Sequence, residues 1–337
     1  MDPKIDYSVP GFARAVLING ATPLTKAISF ENGVRVWIKR DDLIGVALGG
    51  NKVRKAEFIL ADALTKGYNA VITAGAGQSN HARVVAICAT MLDLKCYILR
   101  PSDDLSTGGN KSLMDTINAK VLSCDLPWER LEQVVIEKAD ELSTNKEKVY
   151  PIALGGSSPV GIMGYALCYS EMMAQARQLE LKVSTIVHAS STLGTQAGLL
   201  VGKALLRARQ KEYFNGYLFD PRIIGVAVSK IASEKKCQEL VSRTLKLLNK
   251  DSYFSKDDIN FYKLSDDPGY EKPSLKAENA LKDCLAKLGI LLDPVYSSKG
   301  FAGLLELIEN DMLPPGDVIF IHTGGVPSFF ANRQNVK

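Results

Sequence analysis

A lysine that follows a glycine-rich turn is the residue of this chain whose surroundings most favour covalent chemistry. Lys52 comes directly after Gly49, Gly50 and Asn51, and apolar residues then recur at helical spacing as far as Leu64. Glycine lets the backbone turn sharply, so the pattern places the lysine in the first turn of an amphipathic helix. The electropositive helix N-terminus favours the neutral amine, which is the form that attacks a carbonyl. A solvated lysine at a loop-to-helix junction is the alternative interpretation.

A second loop has the composition of an anion site. Small hydroxyl residues and a glycine stand between an apolar strand and a helix, where successive backbone N–H groups can bind an anion. No Lys-Ser or Lys-Thr pair follows the glycine, so the loop suits a single phosphate better than a nucleotide. An ordinary Ser or Thr helix cap is the alternative. The residues of this loop are Ser191, Thr192, Leu193, Gly194 and Thr195.

A third loop, residues 75–81 (Gly-Ala-Gly-Gln-Ser-Asn-His), resembles two known motifs without completing either. The dinucleotide fingerprint requires a glycine where Asn80 stands, so NAD is disfavoured. The nucleophile elbow of serine hydrolases requires a glycine where His81 stands. The order Ser79, Asp293, His322 nevertheless matches the chain order of a hydrolase triad. A serine hydrolase therefore stays open as a competing class.

The end of the last predicted strand suits a planar ligand. His322 and Thr323 precede two glycines, which allow a ring to approach the backbone closely. On the residues alone we interpret His322 as a core histidine. Tyr296 follows an Asp-Pro-Val turn that can present a phenol to a site, with packing in the core as the alternative. Together the loops require a ligand with an aldehyde, one phosphate and a flat ring, and pyridoxal phosphate has all three.

Composition excludes several classes of protein. The chain has 337 residues, is 46% hydrophobic and carries a formal net charge of +4, with no sustained basic run, so we expect no nucleic-acid partner. Its six cysteines show no C-x-x-C spacing, which favours buried free thiols over disulfides or a metal site. No signal-peptide profile and no apolar run of membrane-spanning length is visible. We therefore expect a cytoplasmic protein with no membrane or metal requirement.

The elements that must position these loops alternate between strand and helix. Short apolar strands separated by amphipathic helices predict βαβ units and parallel sheets, and their number predicts an α/β fold with two such sheets. Residues 1–33 are expected to be irregular, and residues 251–272 to form a surface loop. Strands are predicted at 34–39, 70–73, 96–99, 120–122, 149–154, 185–189, 222–228 and 317–322, and helices at 52–64, 79–92, 111–117, 128–142, 160–179, 195–209, 232–248, 274–288 and 300–308.

With these motifs in order, the sequence resembles the D-cysteine desulfhydrase and 1-aminocyclopropane-1-carboxylate deaminase group of fold-type II pyridoxal-phosphate enzymes, which share the fold of the tryptophan synthase β subunit. The resemblance runs from Thr22 to Phe330. It implies a large domain of residues 1–49 and 166–337, a small domain of residues 50–165, and a homodimer. It is carried by Lys39-Arg40-Asp41-Asp42, Gly49-Gly50-Asn51-Lys52, Gln78-Ser79-Asn80, Ser191–Thr195, Pro268-Gly269-Tyr270, Asp293-Pro294-Val295-Tyr296 and His322-Thr323-Gly324-Gly325.

The resemblance also implies roles for the cofactor site. Lys52 would hold the cofactor through a covalent imine and move the substrate's α-proton, with Asn51 beside it in the cofactor site. Asn80 would bond the ring oxygen, and the loop 191–195 would hold the phosphate. Thr323 would place its hydroxyl against the pyridine nitrogen.

The resemblance further implies that the substrate is a small amino acid, held between two sides of the site. Ser79, Asn80 and His81 would bind its carboxylate, and the Ser79 hydroxyl would assist proton transfer. Tyr270 and Tyr296 would face it from the opposite side of the ring.

Two positions bear on the reaction. Deaminases of this group carry Glu where Ser297 stands and Leu where Thr323 stands. A hydroxyl leaves the pyridine nitrogen largely neutral and the electron sink weaker, which suffices for elimination of a good leaving group. We therefore expect α,β-elimination from a small β-substituted amino acid, with D-cysteine as the leading case and the cyclopropane deaminase as the alternative. The segment 271–274 departs from the family pattern, which keeps L-cysteate or another β-substituted alanine open.

Overall fold

A computed structural model of the chain describes residues 4–125, 127, 130–213, 220–230, 232–270 and 272–332. The strands in these ranges are β1 (Ile5–Val9), β2 (Phe12–Ala15), β3 (Leu24–Ser29), β4 (Val34–Arg40), β5 (Ala70–Ala74), β6 (Lys95–Pro101), β7 (Thr107–Gly108), β8 (Lys120–Cys124), β9 (Val149–Pro151), β10 (Val183–Ser190), β11 (Arg222–Ala227), β12 (Asn260–Tyr262), β13 (Gly316–His322) and β14 (Ala331–Asn332). The α-helices are α1 (Asn51–Thr65), α2 (Asn80–Met91), α3 (Gly109–Thr116), α4 (Leu131–Leu142), α5 (Met163–Gln178), α6 (Gly194–Tyr213), α7 (Glu234–Leu247), α8 (Leu275–Leu288) and α9 (Ser297–Glu309).

Two mostly parallel sheets organise the fold, as the alternating pattern predicts. The larger has the strand order β12-β11-β10-β13-β4-β3, and only β3 runs antiparallel to its neighbour. The smaller has the order β8-β6-β5-β9 and is parallel throughout. Short antiparallel pairs join β1 to β2 and β7 to β14. The α/β fold class is thus confirmed.

Burial on both faces explains why the central strands are continuous apolar runs. In β10, Ile186 and Val187 point to opposite faces and both are fully buried, and in β13 the same holds for Ile319 and Phe320. Helices cover each face and supply the rest of the core. No helix among the described residues combines the length and the apolar character needed to cross a bilayer.

Parallel pairing sets the position of the site. Because β4, β10 and β13 are parallel neighbours, the loops that follow Arg40, Ser190 and His322 leave the same edge of the larger sheet. The loop after Ala74 leaves the corresponding end of the smaller sheet. All four loops were assigned to the site from the sequence.

Some of the sequence-based element predictions were wrong. Residues 1–33 are not irregular, since they contain β1, β2 and β3. These strands lie in a hairpin or at a sheet edge, so their side chains are half solvated and lack the apolar signal of central strands. The segment 251–272 likewise contains the short edge strand β12. The predicted start of a helix at Trp128 lies outside the described residues, and so does Glu271 of the segment that departs from the family pattern.

Candidate active site

A pocket of about 650 Å³ lies at the meeting point of these loops. It is lined by every residue that the sequence analysis assigned to cofactor, substrate or proton transfer. These are Asn51, Lys52, Ser79, Asn80, His81, Ser191, Thr192, Leu193, Gly194, Thr195, Tyr270, Tyr296 and Thr323.

Two glycines place Lys52 at the edge of this pocket. Gly49 and Gly50 have φ angles of +70° and +102°, which disfavour residues with a Cβ. A Cβ on Gly49 would lie 2.3 Å from the Asp42 carbonyl oxygen, so this close approach also requires glycine. The Asn51 N–H then donates to the Thr323 carbonyl at 3.0 Å, which fixes the start of α1 against the end of β13. The lysine therefore stands in the first helical turn, as predicted.

A buried ion-pair network supports this turn from behind. The Arg54 guanidinium donates to both carboxylate oxygens of Asp41 at 2.8 Å and to Glu171 at 3.0 Å. Although burial opposes ionisation, the Arg54 charge holds the pKa of Asp41 below its usual value. The Asp41 carbonyl in turn accepts from the Gly50 N–H at 2.8 Å. The Lys-Arg-Asp-Asp motif thus contributes structure that positions Lys52.

A second lysine, missed from the sequence, lies beside the first. Lys55 is 1% exposed, contacts the Gly155 carbonyl at 3.2 Å and is hydrogen-bonded to Lys52. Desolvation lowers the pKa of Lys52 to about 8. Burial, and then the neighbouring Lys52 charge, lower the pKa of Lys55 well below its usual value. Its spacing of three residues from Lys52, which puts both on one helix face, is the signal that could have identified it.

The loop 191–195 forms a concave surface around this second lysine. Leu193 has a φ of +68°, and Gly194 opens the long helix α6. A Cβ on Gly194 would lie 2.5 Å from Lys55 Nζ, so the loop backbone comes close to the ammonium. The Thr195 hydroxyl accepts from Asn51 Nδ2 at 3.0 Å, which ties the loop to α1. A helix N-terminus beside a buried cation is a site for a dianion.

The third loop contributes a helix N-terminus from the smaller sheet. Ser79 caps α2, since its hydroxyl accepts from the Ala82 N–H at 3.2 Å. Asn80 Oδ1 accepts from the buried Asn110 Nδ2 at 2.8 Å, so the Asn80 amino group points elsewhere. Nothing in the sequence pattern singled out Asn110.

His81 is buried beneath this helix start. Its Nε2 lies 2.9 Å from the Thr73 hydroxyl. Burial, followed by the charges of Lys52 and Lys55, lowers the pKa of His81 well below its usual value. A neutral imidazole therefore faces the two lysines.

Two tyrosines, Tyr270 and Tyr296, also line the pocket. The hydroxyl oxygens of Tyr270 and Tyr296 lie 2.6 Å apart, and their ring centroids are 6.1 Å apart. One phenol hydroxyl therefore donates a hydrogen bond to the other. Tyr296 immediately precedes α9, whereas Tyr270 lies in the loop before α8.

The serine hydrolase alternative is contradicted by the geometry. His322 Nδ1 accepts from the Gly324 N–H at 3.2 Å, and its Nε2 lies 3.0 Å from the Leu291 carbonyl. Both ring nitrogens are therefore engaged with backbone, as expected of a core histidine. Asp293 instead binds Ser297 and nearby backbone N–H groups of its own turn.

The donor set of the pocket fits pyridoxal phosphate. Lys55 is a buried amine with no carboxylate partner among the described residues, so its charged form is costly unless an anion binds it. The loop 192–195 lines the pocket at the N-terminus of α6, where an anion is favoured, and Lys52 offers an amine with a lowered pKa. Among the described residues there is no cluster of three or more His, Cys, Asp or Glu that could hold a metal ion. All six cysteines are free thiols, as predicted.

Comparison with known proteins agrees with this chemistry. A family model described as "Pyridoxal-phosphate dependent enzyme" matches residues 16–324. The chain is 37% identical to a putative 1-aminocyclopropane-1-carboxylate deaminase of Pyrococcus abyssi, covering 98% of this chain and 97% of the relative. It is also 37% identical to a D-cysteine desulfhydrase of Yersinia pseudotuberculosis, covering 98% and 99%. A crystal structure of an ACC deaminase homologue superposes with a TM-score of 0.84 at 34% identity, covering 95% of this chain and 94% of that one. The chain belongs to the family of pyridoxal-phosphate dependent enzymes, and pyridoxal phosphate is its cofactor.

Proposed function

We propose that the protein catalyses α,β-elimination on a small β-substituted amino acid, with D-cysteine giving pyruvate, ammonia and hydrogen sulfide as the leading case. The observation that carries this proposal is the meeting of a low-pKa lysine, a phosphate-binding loop and a phenol pair in one pocket. The relative named D-cysteine desulfhydrase, which matches nearly the whole chain, supports it.

The cofactor would be held by three groups of residues. Lys55 Nζ and the backbone of residues 192–195 bind its phosphate, and Lys52 attaches it covalently. The Asn80 amino group, directed by Asn110, donates to its ring oxygen. When bound, pyridoxal phosphate supplies the electron sink for the charge that remains when the substrate loses its α-proton.

The substrate would be oriented from both sides of the pocket. Ser79, Asn80 and His81 bind its carboxylate at the N-terminus of α2, where the helix dipole favours an anion. Lys52 Nζ, with a pKa of about 8, accepts the α-proton and releases it again near neutral pH. On the other side, Tyr270 and Tyr296 are hydrogen-bonded at 2.6 Å from oxygen to oxygen, and one of these phenols would donate a proton to the leaving thiolate.

Elimination is favoured over ring opening by the residues near the ring nitrogen. Thr323 lines the pocket, and its backbone is fixed by the Asn51 N–H. The hydroxyl of Ser297 donates to Asp293 at 2.6 Å and accepts from the Asp293 N–H at 2.7 Å, so it serves its own turn. Neither residue offers the carboxylate that would keep a pyridine nitrogen protonated. The electron sink would therefore be weaker, and it would be adequate for a thiolate leaving group.

An anionic leaving group is the second candidate. Of the described residues that line the pocket, four are lysines and none is acidic; the lysines are Lys52, Lys55, Lys230 and Lys272. Two of them, Lys230 and Lys272, are exposed at the pocket and are not needed for the phosphate. Their positive charge favours a substrate with a second anion, such as the sulfonate of L-cysteate.

The wider setting is part of the same proposal. We propose that residues 50–165 form the small domain and residues 1–49 with 166–337 the large one, because the four-stranded sheet draws its strands from the former only. We also propose a cytoplasmic homodimer. Six free thiols, five of them buried, support a reducing compartment. Light scattering coupled to size-exclusion chromatography would test the dimer.

A substrate panel tests the proposed reaction. Purified holoenzyme is offered D-cysteine, L-cysteine, L-cysteate and 1-aminocyclopropane-1-carboxylate, and the release of sulfide, sulfite, pyruvate and 2-oxobutyrate is measured. We expect equal amounts of sulfide and pyruvate from D-cysteine, and none from the Lys52→Ala variant. Sulfite from L-cysteate would select the second candidate. Formation of 2-oxobutyrate from the cyclopropane acid, without sulfide from cysteine, would overturn the proposed elimination.

A further inference from the structure

A buried lysine links the two elements that carry the tyrosine pair. Lys299 lies in the first turn of α9 and is 1% exposed. Its Nζ lies 2.6 Å from Asp267 Oδ1 and 2.6 Å from the Gly269 carbonyl oxygen. Tyr296 immediately precedes this helix, and Tyr270 immediately follows Gly269. One ammonium therefore bridges the two backbones from which the phenols project.

A small set of hydrogen bonds holds the bridged loop in this shape. Gly269 has a φ of +115°, and its N–H donates to Asp267 Oδ1 at 3.2 Å. Asp267 thus receives both the Lys299 ammonium and the Gly269 amide, which closes a compact ring of hydrogen bonds. Farther along α9, Glu306 accepts from the Ser265 N–H at 3.2 Å, so the loop is anchored to the same helix at a second point.

We propose that Lys299 is a positioning residue, which through Asp267 and Gly269 sets the separation of the Tyr270 and Tyr296 hydroxyls. This inference rests on the proposed function, because it assigns the tyrosine pair to proton transfer. Lys299 itself does not line the pocket, so it acts only through the loop.

The energetics favour a geometric role for the ion pair over a contribution to stability. A buried pair of charges gains little net stability over apolar side chains of similar size, because desolvation offsets the attraction. A hydrogen bond between two phenols, however, is lost when either oxygen moves by about 1 Å. Misplacing a catalytic group by that distance costs on the order of 100-fold in rate.

A matched lysine makes the test specific. Lys203 is also buried and has the same kinds of partner: Asp258 Oδ1 at 2.9 Å, Asp220 Oδ1 at 3.4 Å and the Pro221 carbonyl at 3.1 Å. None of these four residues lines the pocket. Lys299→Met and Lys203→Met therefore remove comparable buried ion pairs, of which only the first adjoins the tyrosines.

Two measurements on holoenzyme decide the matter. In steady-state kinetics we expect Lys299→Met to lower kcat about 10- to 100-fold with little change in KM. In the Tyr270→Phe background, Lys299→Met should add almost no further loss, because the hydroxyl that it would misplace is already absent. Lys203→Met should leave kcat within about twofold. Additive losses for Lys299→Met and Tyr270→Phe would overturn the proposal.

Hydrogen–deuterium exchange provides a readout that needs no turnover. Lys299→Met should speed amide exchange in peptides covering residues 264–270 and leave those covering residues 189–197 unchanged. Lys203→Met should change neither. Unchanged exchange over residues 264–270 in Lys299→Met would also overturn the proposal. If the wild-type holoenzyme eliminates none of the panel substrates, the proposed function fails, and the exchange result still decides the role of Lys299.

Discussion

Lys52 and Lys55 are hydrogen-bonded to each other one helical turn apart at the start of α1, which requires one of the two amines to be neutral, since a charged ammonium has no acceptor. Like charges at this spacing repel each other and destabilise a helix. Burial adds to the cost, which is why the pKa values of both groups are lowered. The lysine pair is stabilised when one amine is neutral and an anion binds beside the other. A phosphorylated aldehyde meets both conditions, because the aldehyde reacts with a neutral amine and the phosphate is an anion.

The pKa of Lys52 predicts how cofactor uptake depends on pH. The neutral amine attacks the aldehyde, so the second-order rate of uptake by cofactor-free protein should rise tenfold per pH unit below about 8 and level off above it. An ordinary lysine would give a rise that continues to about pH 10.4. Stopped-flow absorbance at limiting cofactor measures this rate. An inflection above pH 10 would show that the amine is not desolvated.

Removal of the Lys55 ammonium should stabilise the cofactor-free protein and weaken its binding of phosphate. Because the lowered pKa of Lys55 reflects a charge buried at a cost, Lys55→Met should raise the thermal midpoint of cofactor-free protein by about 1–4 °C. Inorganic phosphate should stabilise the wild type and have little effect on this variant. Lys66→Met, an exposed lysine just after α1, is the control. An undiminished phosphate effect in Lys55→Met would remove this residue from the phosphate site. Differential scanning fluorimetry measures both midpoints.

Loss of either phenol hydroxyl should affect catalysis and spare cofactor binding. Tyr296→Phe and Tyr270→Phe each remove one side of the 2.6 Å hydrogen bond, so kcat for elimination should fall by about 10²- to 10⁴-fold. Cofactor affinity, measured by equilibrium titration, should stay the same because each substitution removes only a hydroxyl and leaves Lys52, Lys55 and the loop 191–195 intact. Tyr150→Phe, whose hydroxyl bonds Asp62 at 2.7 Å outside the pocket, should be kinetically silent. Near-normal kcat in both pocket variants would exclude the pair from proton transfer.

Two adjacent buried serines give a matched stability test. Ser297 Oγ accepts from the Asp293 N–H and donates to the Asp293 carboxylate, whereas Ser298 Oγ has no hydrogen-bond partner among the described residues. Ser297→Ala should therefore lower the free energy of unfolding by about 1–3 kcal/mol, since it leaves a buried amide unpaired. Ser298→Ala should change it by about 0.5 kcal/mol or less. Urea denaturation monitored by circular dichroism gives both values; equal losses would refute the assigned hydrogen bonds.

The predictable part of the fold is the part where local pattern and tertiary burial agree. β10 and β13 are buried on both faces, so their apolar runs identify them without ambiguity. β3 and β12 are sheet edges, and their side chains are only partly buried, so no continuous apolar run marks them. These two strands were missed, whereas β8 and β9, the edges of the smaller sheet, were predicted.

The same distinction applies to the site. Lys52 and the loop 191–195 were identifiable because glycine, hydroxyl and lysine types at a helix start have a direct chemical meaning. Asn110 and Lys299 act through contacts with residues 30 or more positions away, and Asn and Lys are most often surface residues. Burial alone distinguishes them, and burial of a single polar side chain cannot be inferred from its neighbours in sequence.

The central claim is that Lys52, and not its neighbour Lys55, carries the cofactor. Holoenzyme reduced with borohydride, digested and analysed by tandem mass spectrometry tests it directly. We predict a phosphopyridoxyl mass on Lys52 alone, with the Lys55 side chain unmodified. The modification on Lys55, or on any other amine, would contradict the account.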